Sequence, residues 1–336
     1  MTVPEPQATL MQLVNGYQVT QAIHVAAQLG LADRLAAGAR SSADLAVEVD
    51  AHPDALYRLL RALAAVGVLH EEDGGNFSLT PVGERLRSDV PGSLHGWARF
   101  VGRPYYWQAW SALEHSVQTG ENAFRHVHGE DVWSYRAQRP EESAAFDAAM
   151  RARTGATNRA LLDSFDFGRF GTIVDIGGGN GTLLAAVLAA HPHVTGVLFD
   201  QPHVVAGAEA VLGETGVADR CRVVAGDFFE SVPADGDAYV LKWIVHDWED
   251  AEATALLHVV RAAMADAARL LVVERDLGAP NEAPAAKLSD LNMLVAPGGR
   301  ERTREEYAAL FAAAGLRLEG VTPAGPGLAV FEGAPV

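Results

Sequence analysis

The sequence predicts an α/β protein in which a helical first half precedes a second half built around a largely parallel sheet. Apolar residues recur at helical spacing through the first half. From residue 172 onward, short strand-like runs alternate with helical segments, which is typical of a parallel sheet covered on both faces. A chain of 336 residues also fits two domains. We expect these domains to span residues 1–160 and 161–336.

The composition excludes several classes of protein. Hydrophobic residues make up 49% and charged residues 21% of the chain, as in ordinary globular proteins. A net charge of −17 argues against nucleic-acid and anionic-membrane partners, because both need clustered Lys and Arg. The single cysteine, Cys221, excludes an internal disulfide and a cysteine-based metal site. Without a signal-peptide pattern or a run long enough to cross a bilayer, we expect a cytoplasmic protein.

Cap and turn residues divide the first half into short helices and one hairpin. The signals in chain order are an interruption at Gly30, a helix start at Ser41 or Ser42, a second start at Pro53, a stop at Gly67, a turn at 74–76 and a short helix after Pro81. Helices followed by a hairpin form the winged-helix pattern, whose usual function is DNA binding. Residues 41–70 carry Arg58 and Arg61 against four acids, so we favour a module for subunit contact.

Residues 95–160 are predicted to be helical and are rich in aromatic side chains. Such residues more often form a core than a ligand pocket, but a flat apolar cavity for an aromatic substrate is also consistent with them. His126 and His128, near Glu130 and Asp131, resemble a metal-binding pair. We interpret this segment as a solvated loop, because two histidines so spaced are common by chance.

Polar residues and glycines follow the predicted strands of the second half. They are Asp175, Gly177–Gly181, Asp200, Asp227, His246 and Glu274. In parallel sheets, ligands bind beyond the carboxyl ends of the strands, where the strand order reverses. This coincidence is the strongest functional signal in the residues themselves.

The glycine motif indicates a nucleoside rather than a dinucleotide ligand. Its spacing, Gly177-x-Gly179-x-Gly181, is one residue shorter than the dinucleotide fingerprint. Asp200 follows 23 residues after Gly177, the separation at which an acid accepts hydrogen bonds from ribose hydroxyls. Asp200 would equally suit the N-cap of the next helix.

His246 is the candidate general base, since neutral imidazole is the usual base at neutral pH. Glu274 and Glu301 supply carboxylates that could orient its ring, as in a base-plus-orienter pair. Alternatively, Glu301 is an acid placed at the start of a helix.

Taken together, the stretches FDAAM, VDIGGGNG, LFDQPHV, GDFF, LKWIVHDW, LVVERDL and GGRERT resemble the S-adenosylmethionine-dependent O-methyltransferases of the caffeate, acetylserotonin and bacterial polyketide-tailoring type. The resemblance covers nearly the whole chain. It implies a Rossmann-like sheet of seven strands with the last one antiparallel, and an N-terminal all-helical winged-helix dimerisation domain that forms a homodimer. The implied function is transfer of a methyl group to a hydroxyl, most simply a phenolic one, of a small aromatic secondary metabolite.

The resemblance also assigns site residues. The catalytic residues are His246, Glu274 and Glu301, with no metal. The residues that bind S-adenosylmethionine, and its product S-adenosylhomocysteine, are Asp175, Gly177, Gly179, Asp200, Gln201, Asp227, Phe228, Lys242 and Trp243. The residues that line the acceptor site are Trp107, Phe146, Met150, Asp247, Asp290, Asn292 and Met293.

Two alternatives remain open. Some relatives with this fold bind the same cofactor and catalyse hydroxylation or decarboxylation, and those should lack the base that this chain keeps at His246. A ligand-sensing winged-helix regulator with an inactive methyltransferase domain is the other, and the intact glycines and Asp200 argue against it.

Overall fold

The computed structural model describes residues 5–325 and 327–336, and of residues 153 and 156 it describes the backbone alone. The chain forms two compact units. The first contains Met1–Gln108 and Ser134–Gly155, and the second contains Ala109–Trp133 and Ala156–Val336. Residues 109–133 therefore group with the second unit, although the boundary predicted at residue 160 placed them in the first.

The first unit combines short helices with a small sheet. Its elements up to residue 101 are α1 (Pro6–Val14), α2 (Gly16–Gln28), α3 (Leu31–Leu35), β1 (Arg40–Ser41), α4 (Ser42–Glu48), α5 (Pro53–Ala65), β2 (Leu69–Glu72), β3 (Asn76–Leu79) and α6 (His95–Val101). The three strands pair antiparallel in the order β1–β3–β2. The expectation of an all-helical domain is thus wrong, because β1 extends the predicted hairpin by a third strand.

Local signals account for the starts of these helices. The Ser41 hydroxyl accepts a hydrogen bond from the backbone N–H of Asp44 and caps α4, which confirms one of the two predicted caps. Pro53 occupies the first turn of α5, where its missing N–H costs nothing. Leu60 and Leu63 of α5 pack with Phe77 of β3 in a fully buried cluster. The segment after Pro81 forms one 3₁₀ turn, Gly83–Leu86.

Five helices follow and complete the aromatic-rich segment that begins in α6. They are α7 (Pro104–Ser111), α8 (Leu113–Thr119), α9 (Ala123–His128), α10 (Val132–Ala137) and α11 (Pro140–Ser164). His126 and His128 lie on α9, so the expected loop is wrong at this point. The Asn122 side chain caps α9 by accepting a hydrogen bond from the N–H of Arg125. This helix-start signal was overlooked, because the two histidines suggested a metal site or a loop. The His126 ring stacks on that of His115, with centroids 3.7 Å apart.

The second unit alternates strands and helices, as predicted. Its elements are β4 (Thr172–Ile176), α12 (Thr182–Ala190), β5 (Thr195–Asp200), α13 (Pro202–Val205), α14 (Ala208–Glu214), β6 (Cys221–Ala225), β7 (Ala238–Lys242), α15 (Asp250–Ala263), β8 (Arg269–Arg275), α16 (Pro284–Val295), α17 (Arg304–Ala313), β9 (Leu316–Pro323) and β10 (Leu328–Pro335). The strands form one seven-stranded sheet in the order β6–β5–β4–β7–β8–β10–β9. β10 runs antiparallel to both of its neighbours, which confirms the expected antiparallel last strand.

Both faces of the central strands of this sheet are buried, as expected for a largely parallel sheet, whereas the edge strands β6 and β9 are partly exposed. Alternate residues of β4, such as Ile173 and Val174, contribute to different apolar clusters. Helices α12 and α14 supply one cluster, and α15 and α17 supply the other. The strand order reverses at β4, which lies between β5 and β7. Ligands of such sheets bind at this reversal, so the carboxyl ends of these strands define the candidate site.

Within the described part of the chain, none of the helices has the length and apolarity that crossing a bilayer would require.

Candidate active site

The loop between β4 and α12 depends on glycines, because residues with a side chain would be strained at these positions. Gly177, Gly179 and Gly181 all have positive φ angles, from 63° to 81°. A Cβ on Gly177 would lie 2.5 Å from Cδ1 of Ile244, and one on Gly178 would lie 2.6 Å from Oδ2 of Asp175. The backbone therefore packs tightly beneath the loop, and Gly179 has no heavy atom within 4 Å of its Cβ position. This opening leaves room for a ligand directly on the backbone.

Asp200 is fixed by the glycine loop. Its Oδ2 accepts a hydrogen bond from the N–H of Gly179 at 2.8 Å, and its Oδ1 accepts from the N–H of Gln201 at 2.7 Å. It does not cap the next helix, since Gln201 holds the N-cap position of α13. A carboxylate oxygen can accept more than one hydrogen bond, so these contacts orient the group without using up its capacity as an acceptor.

Asp175, at the end of β4, is a buried acid. Its side chain is 2% exposed, and Oδ2 has no hydrogen-bond partner among the described residues. Burial raises the pKa of this carboxyl to about 7, although the nearby charge of Lys242 lowers it. The Lys242 ammonium lies over the Trp243 ring, 3.9 Å from its centroid. Trp243 follows β7 with a positive φ of 56°, an unusual backbone conformation for a large side chain.

Phe228 borders the glycine loop. Its Cε1 atom would lie 3.8 Å from a Cβ on Gly177. Its ring also packs against Phe229 and Trp248. Asp227 turns the chain before it by accepting a hydrogen bond from the N–H of Phe229 at 2.8 Å. The structure therefore places Phe228 at the edge of the glycine loop, which Asp200 also contacts.

The His246 ring is held on one side by two buried glutamates. Its Nδ1 lies 3.1 Å from Oε1 of Glu301 and 3.3 Å from Oε2 of Glu274. The other oxygen of Glu274 accepts hydrogen bonds from the backbone N–H groups of Ile244 and His246. The opposite ring nitrogen, Nε2, lies 3.6 Å from Oδ1 of Asp247. The two glutamates thus face Nδ1, and Nε2 lies on the opposite side of the ring.

The charges around His246 shift the pKa values of all three groups. Burial is the largest single effect on the imidazole and lowers its pKa, but Glu274, Glu301 and Asp247 together raise it to about 10. Burial also raises the pKa of Glu274, to about 7. Burial has the same effect on Glu301, yet its contacts with His246, Ser289 and Arg275 bring the pKa of its carboxyl below the usual value.

Glu301 is not a charge at the start of a helix. Helix α17 begins at Arg304 behind a capping box, in which Thr303 and Glu306 exchange side-chain-to-backbone hydrogen bonds. Glu301 precedes this box and is 2% exposed. Its interpretation as an orienting acid for His246 therefore agrees with its position.

Sequence reasoning missed several residues that support this site. Arg302 is fully buried and donates hydrogen bonds to the carbonyl oxygens of Val245 and Trp248, on either side of His246. Ser289 donates to Oε1 of Glu301 at 2.7 Å. Arg275 forms an ion pair with the same oxygen. Arg302 lies in the stretch GGRERT and Arg275 in LVVERDL, but no spacing pattern predicted a role for either arginine. Ser289 is a single hydroxyl residue outside these stretches.

The same three side chains, His246, Glu274 and Glu301, offer ligand atoms within 4.8 Å of one another, a spacing compatible with a metal ion. Donors already occupy Oε1 of Glu301, however: the Ser289 hydroxyl and the His246 ring. The expectation of a metal-independent site stays a prediction.

The residues predicted to line the acceptor site fall in both units. In the first unit, the Trp107 indole donates to the carbonyl of Val101, the Phe146 ring lies under the Arg136 guanidinium, and Met150 lies on α11. In the second unit, Asn292 and the buried Met293 lie on α16. Asp290 also lies on α16, and its Oδ1 accepts a hydrogen bond from the N–H of Glu301 at 2.9 Å. Contacts of these residues with an acceptor remain predictions.

The fold and the site together define a class of protein, the methyltransferases that bind S-adenosylmethionine at the carboxyl edge of a seven-stranded sheet. Comparison with known proteins narrows this class. Residues 110–317 match the model of an O-methyltransferase domain, and residues 11–89 match that of an O-methyltransferase dimerisation domain. The chain belongs to this O-methyltransferase family and is an S-adenosylmethionine-dependent O-methyltransferase.

Individual relatives agree over nearly the full length. The chain is 48% identical to O-demethylpuromycin-O-methyltransferase of Streptomyces alboniger, over 98% of this chain and 89% of that one. The crystal structure of LaPhzM is similar with a TM-score of 0.95 and 42% identity, covering 99% of this chain and 100% of that one. The structure of NcsB1, from neocarzinostatin biosynthesis, was solved with S-adenosylmethionine and 2-hydroxy-5-methyl naphthoic acid. It has a TM-score of 0.81 and 33% identity, and the match covers 95% of this chain and 96% of that one.

Proposed function

We propose that this enzyme methylates a phenolic hydroxyl of a small aromatic secondary metabolite, with Nε2 of His246 as the general base. The observation that carries this proposal is the pair of buried glutamates on Nδ1. They fix the ring, and they stabilise the imidazolium that forms when Nε2 takes a proton. Support for the acceptor class comes from the hydroxynaphthoic acid held by NcsB1.

The residues of the second unit fit S-adenosylmethionine. Asp200 offers oriented carboxylate oxygens for ribose hydroxyls, and Phe228 offers a ring at the edge of the loop for adenine. The unpartnered oxygen of Asp175 and the nearby Lys242 suit the charged groups of the methionyl end. When bound, S-adenosylmethionine supplies an electrophilic methyl carbon. The remaining tasks of the protein are therefore to orient the acceptor and to remove its proton.

The strength of His246 as a base suits a phenol. An ordinary phenol has a pKa of ~10, by analogy with tyrosine, and the surrounding carboxylates raise the pKa of His246 to about 10. Proton transfer between groups of similar pKa costs little free energy. The same shift means that the neutral, basic ring becomes more abundant as the pH rises above 7. We therefore expect kcat/KM to increase with pH through the neutral and mildly alkaline range.

The substitutions His246→Ala and His246→Gln test the general base. Both should lower kcat on a phenol of ordinary acidity by ~10²–10⁴, because neither side chain accepts a proton. Affinity for S-adenosylmethionine, measured by calorimetry, should change little, since the glycine loop and Asp200 remain. The loss should shrink along a series of increasingly acidic phenols, whose phenolates form without a base.

His258→Gln on the exposed face of α15 is the matched control and should behave as wild type. If His246→Gln leaves turnover intact across the phenol series, or abolishes cofactor binding, then His246 has a structural role and the proposal is wrong.

We also propose that the enzyme works as a homodimer, formed through the residues that match the dimerisation domain. Helix α1, the beginning of this region, exposes the apolar side chains of Leu10, Met11, Leu13 and Val14. A contiguous apolar surface of this kind is typical of a subunit interface.

A further inference from the structure

One oxygen of Glu301 receives every polar contact of its carboxylate. Oε1 accepts hydrogen bonds from the Ser289 hydroxyl at 2.7 Å and from Nδ1 of His246 at 3.1 Å, and it lies 3.7 Å from Nε of Arg275. Oε2 is buried without a hydrogen-bond partner among the described residues.

We propose that Ser289 and Arg275 are positioning residues for the general base, which hold Oε1 of Glu301 against Nδ1 of His246 and so reserve Nε2 for the acceptor. This inference rests on the proposed role of His246.

Two adjacent residues of α16 hold Glu301, one at its carboxylate and the other at its backbone N–H. Ser289 fixes the carboxylate, and Oδ1 of Asp290 accepts the backbone N–H of Glu301 at 2.9 Å. Arg275 directly follows Glu274 on β8, so the strand that supplies one glutamate to His246 also supplies the cation that restrains the other. With backbone and carboxylate both held, Glu301 cannot rotate its charge away from the ring.

The contacts also moderate the charge that His246 meets. Glu274, Glu301 and Asp247 face the ring and favour the imidazolium. Two further titratable groups near Glu301 are Asp290 on α16 and Tyr307 on α17. Ser289 and Arg275 withdraw negative charge from Oε1, since one donates a proton and the other carries a positive charge. When either residue is removed, the other and Asp290 still hold Glu301 beside the ring. More of the negative charge on Oε1 is then left to stabilise the imidazolium, whereas removal of the Glu301 charge should weaken that stabilisation.

The test compares four variants by NMR titration of the His246 ring in the cofactor-free protein, with the signal assigned from its loss in His246→Gln. Ser289→Ala and Arg275→Gln should move the titration to higher pH. Glu301→Gln should move it to lower pH, because the amide oxygen keeps the contact with Nδ1 without the charge. Ser289→Thr should restore the wild-type midpoint, since it keeps the hydroxyl.

The pH profile of kcat/KM should shift in the same directions, with Ser289→Ala about three- to tenfold slower at neutral pH because less of the base is neutral. Thermal unfolding of each variant checks that the fold persists. The proposal is overturned if Ser289→Ala leaves the titration and the profile at their wild-type positions, or if it lowers kcat/KM without moving the NMR titration. Because the NMR titration does not depend on turnover, it tests this positioning even if His246 proves not to be the base.

Discussion

Two aspartates at the carboxyl edge of the sheet differ in burial and hydrogen bonding, although both lie near the ends of neighbouring strands. Asp200 accepts hydrogen bonds from two backbone N–H groups, one on each carboxylate oxygen. Asp175 lies one strand away, buried, with an oxygen that no described group satisfies. The sequence predicted both as cofactor contacts from their strand-end positions. It could not distinguish their environments, because the difference depends on neighbours far away in the chain.

Asp175→Asn should stabilise the cofactor-free protein at alkaline pH. The folded state raises the pKa of this carboxyl to about 7, so the native state binds the proton more tightly than the unfolded state does. Stability is therefore lost as the pH rises from the unfolded-state pKa of ~4 to the folded-state pKa of about 7, at a total cost of up to about 4 kcal/mol. Asparagine has no charge to bury, so the variant should gain free energy of unfolding at pH 8 and much less at pH 5.

Urea unfolding at the two pH values measures this effect, and Asp219→Asn at an exposed turn is the control. A gain of equal size at both pH values would show that the charge of Asp175 is not the cause.

At the scale of elements, Asn122 links two helices of the second unit. Its Nδ2 donates to the carbonyls of Leu294 and Ala296 at the end of α16, and its Oδ1 accepts from the first turn of α9. Asn122→Asp keeps the acceptor for α9 but places a carboxylate against the carbonyl end of α16, where the helix dipole is negative. We expect a loss of about 1–3 kcal/mol in the free energy of unfolding.

The same variant should also lower kcat, because α16 carries Ser289 and Asp290. Asn281→Asp, in an exposed loop with a positive φ that Asp tolerates, is the matched control. Unchanged stability and turnover in Asn122→Asp would mean that these hydrogen bonds do not support α16.

Regular elements were more predictable than the irregular ones. The alternation of strands and helices after residue 172 is strong, because the central strands β4, β5, β7 and β8 are short, mostly buried runs bounded by turn residues. Strand β1 has two residues and no pattern of its own, and it forms because β3 offers a free edge. The polar segment before residue 128 looked like a loop, and its helix depends on the Asn122 cap and on packing. An element that forms because of tertiary contacts has no periodic pattern in the sequence from which it could be predicted.

At the scale of the whole molecule, light scattering should give twice the mass of one chain. Leu13 is 73% exposed on α1 of the single chain, and its neighbours Met11 and Val14 are also exposed. If a second copy covers this face, the double variant Met11→Lys, Leu13→Lys should shift the protein toward the mass of one chain, because buried lysines would meet apolar partners.

Val336→Lys, at an equally exposed position of the second unit, should leave the mass unchanged. A wild-type protein with the mass of one chain at micromolar concentration would contradict the proposed homodimer.

The carboxylates around His246 have a second consequence, which concerns chemical self-protection. An imidazole nitrogen with a free lone pair is itself a nucleophile, and this one serves an enzyme whose cofactor is an alkylating agent. With its pKa raised to about 10, His246 is an imidazolium at neutral pH, and an imidazolium has no lone pair to donate. We therefore expect protonation to protect the proposed base of the resting enzyme from alkylation, because the nitrogen becomes nucleophilic only when it gives up its proton.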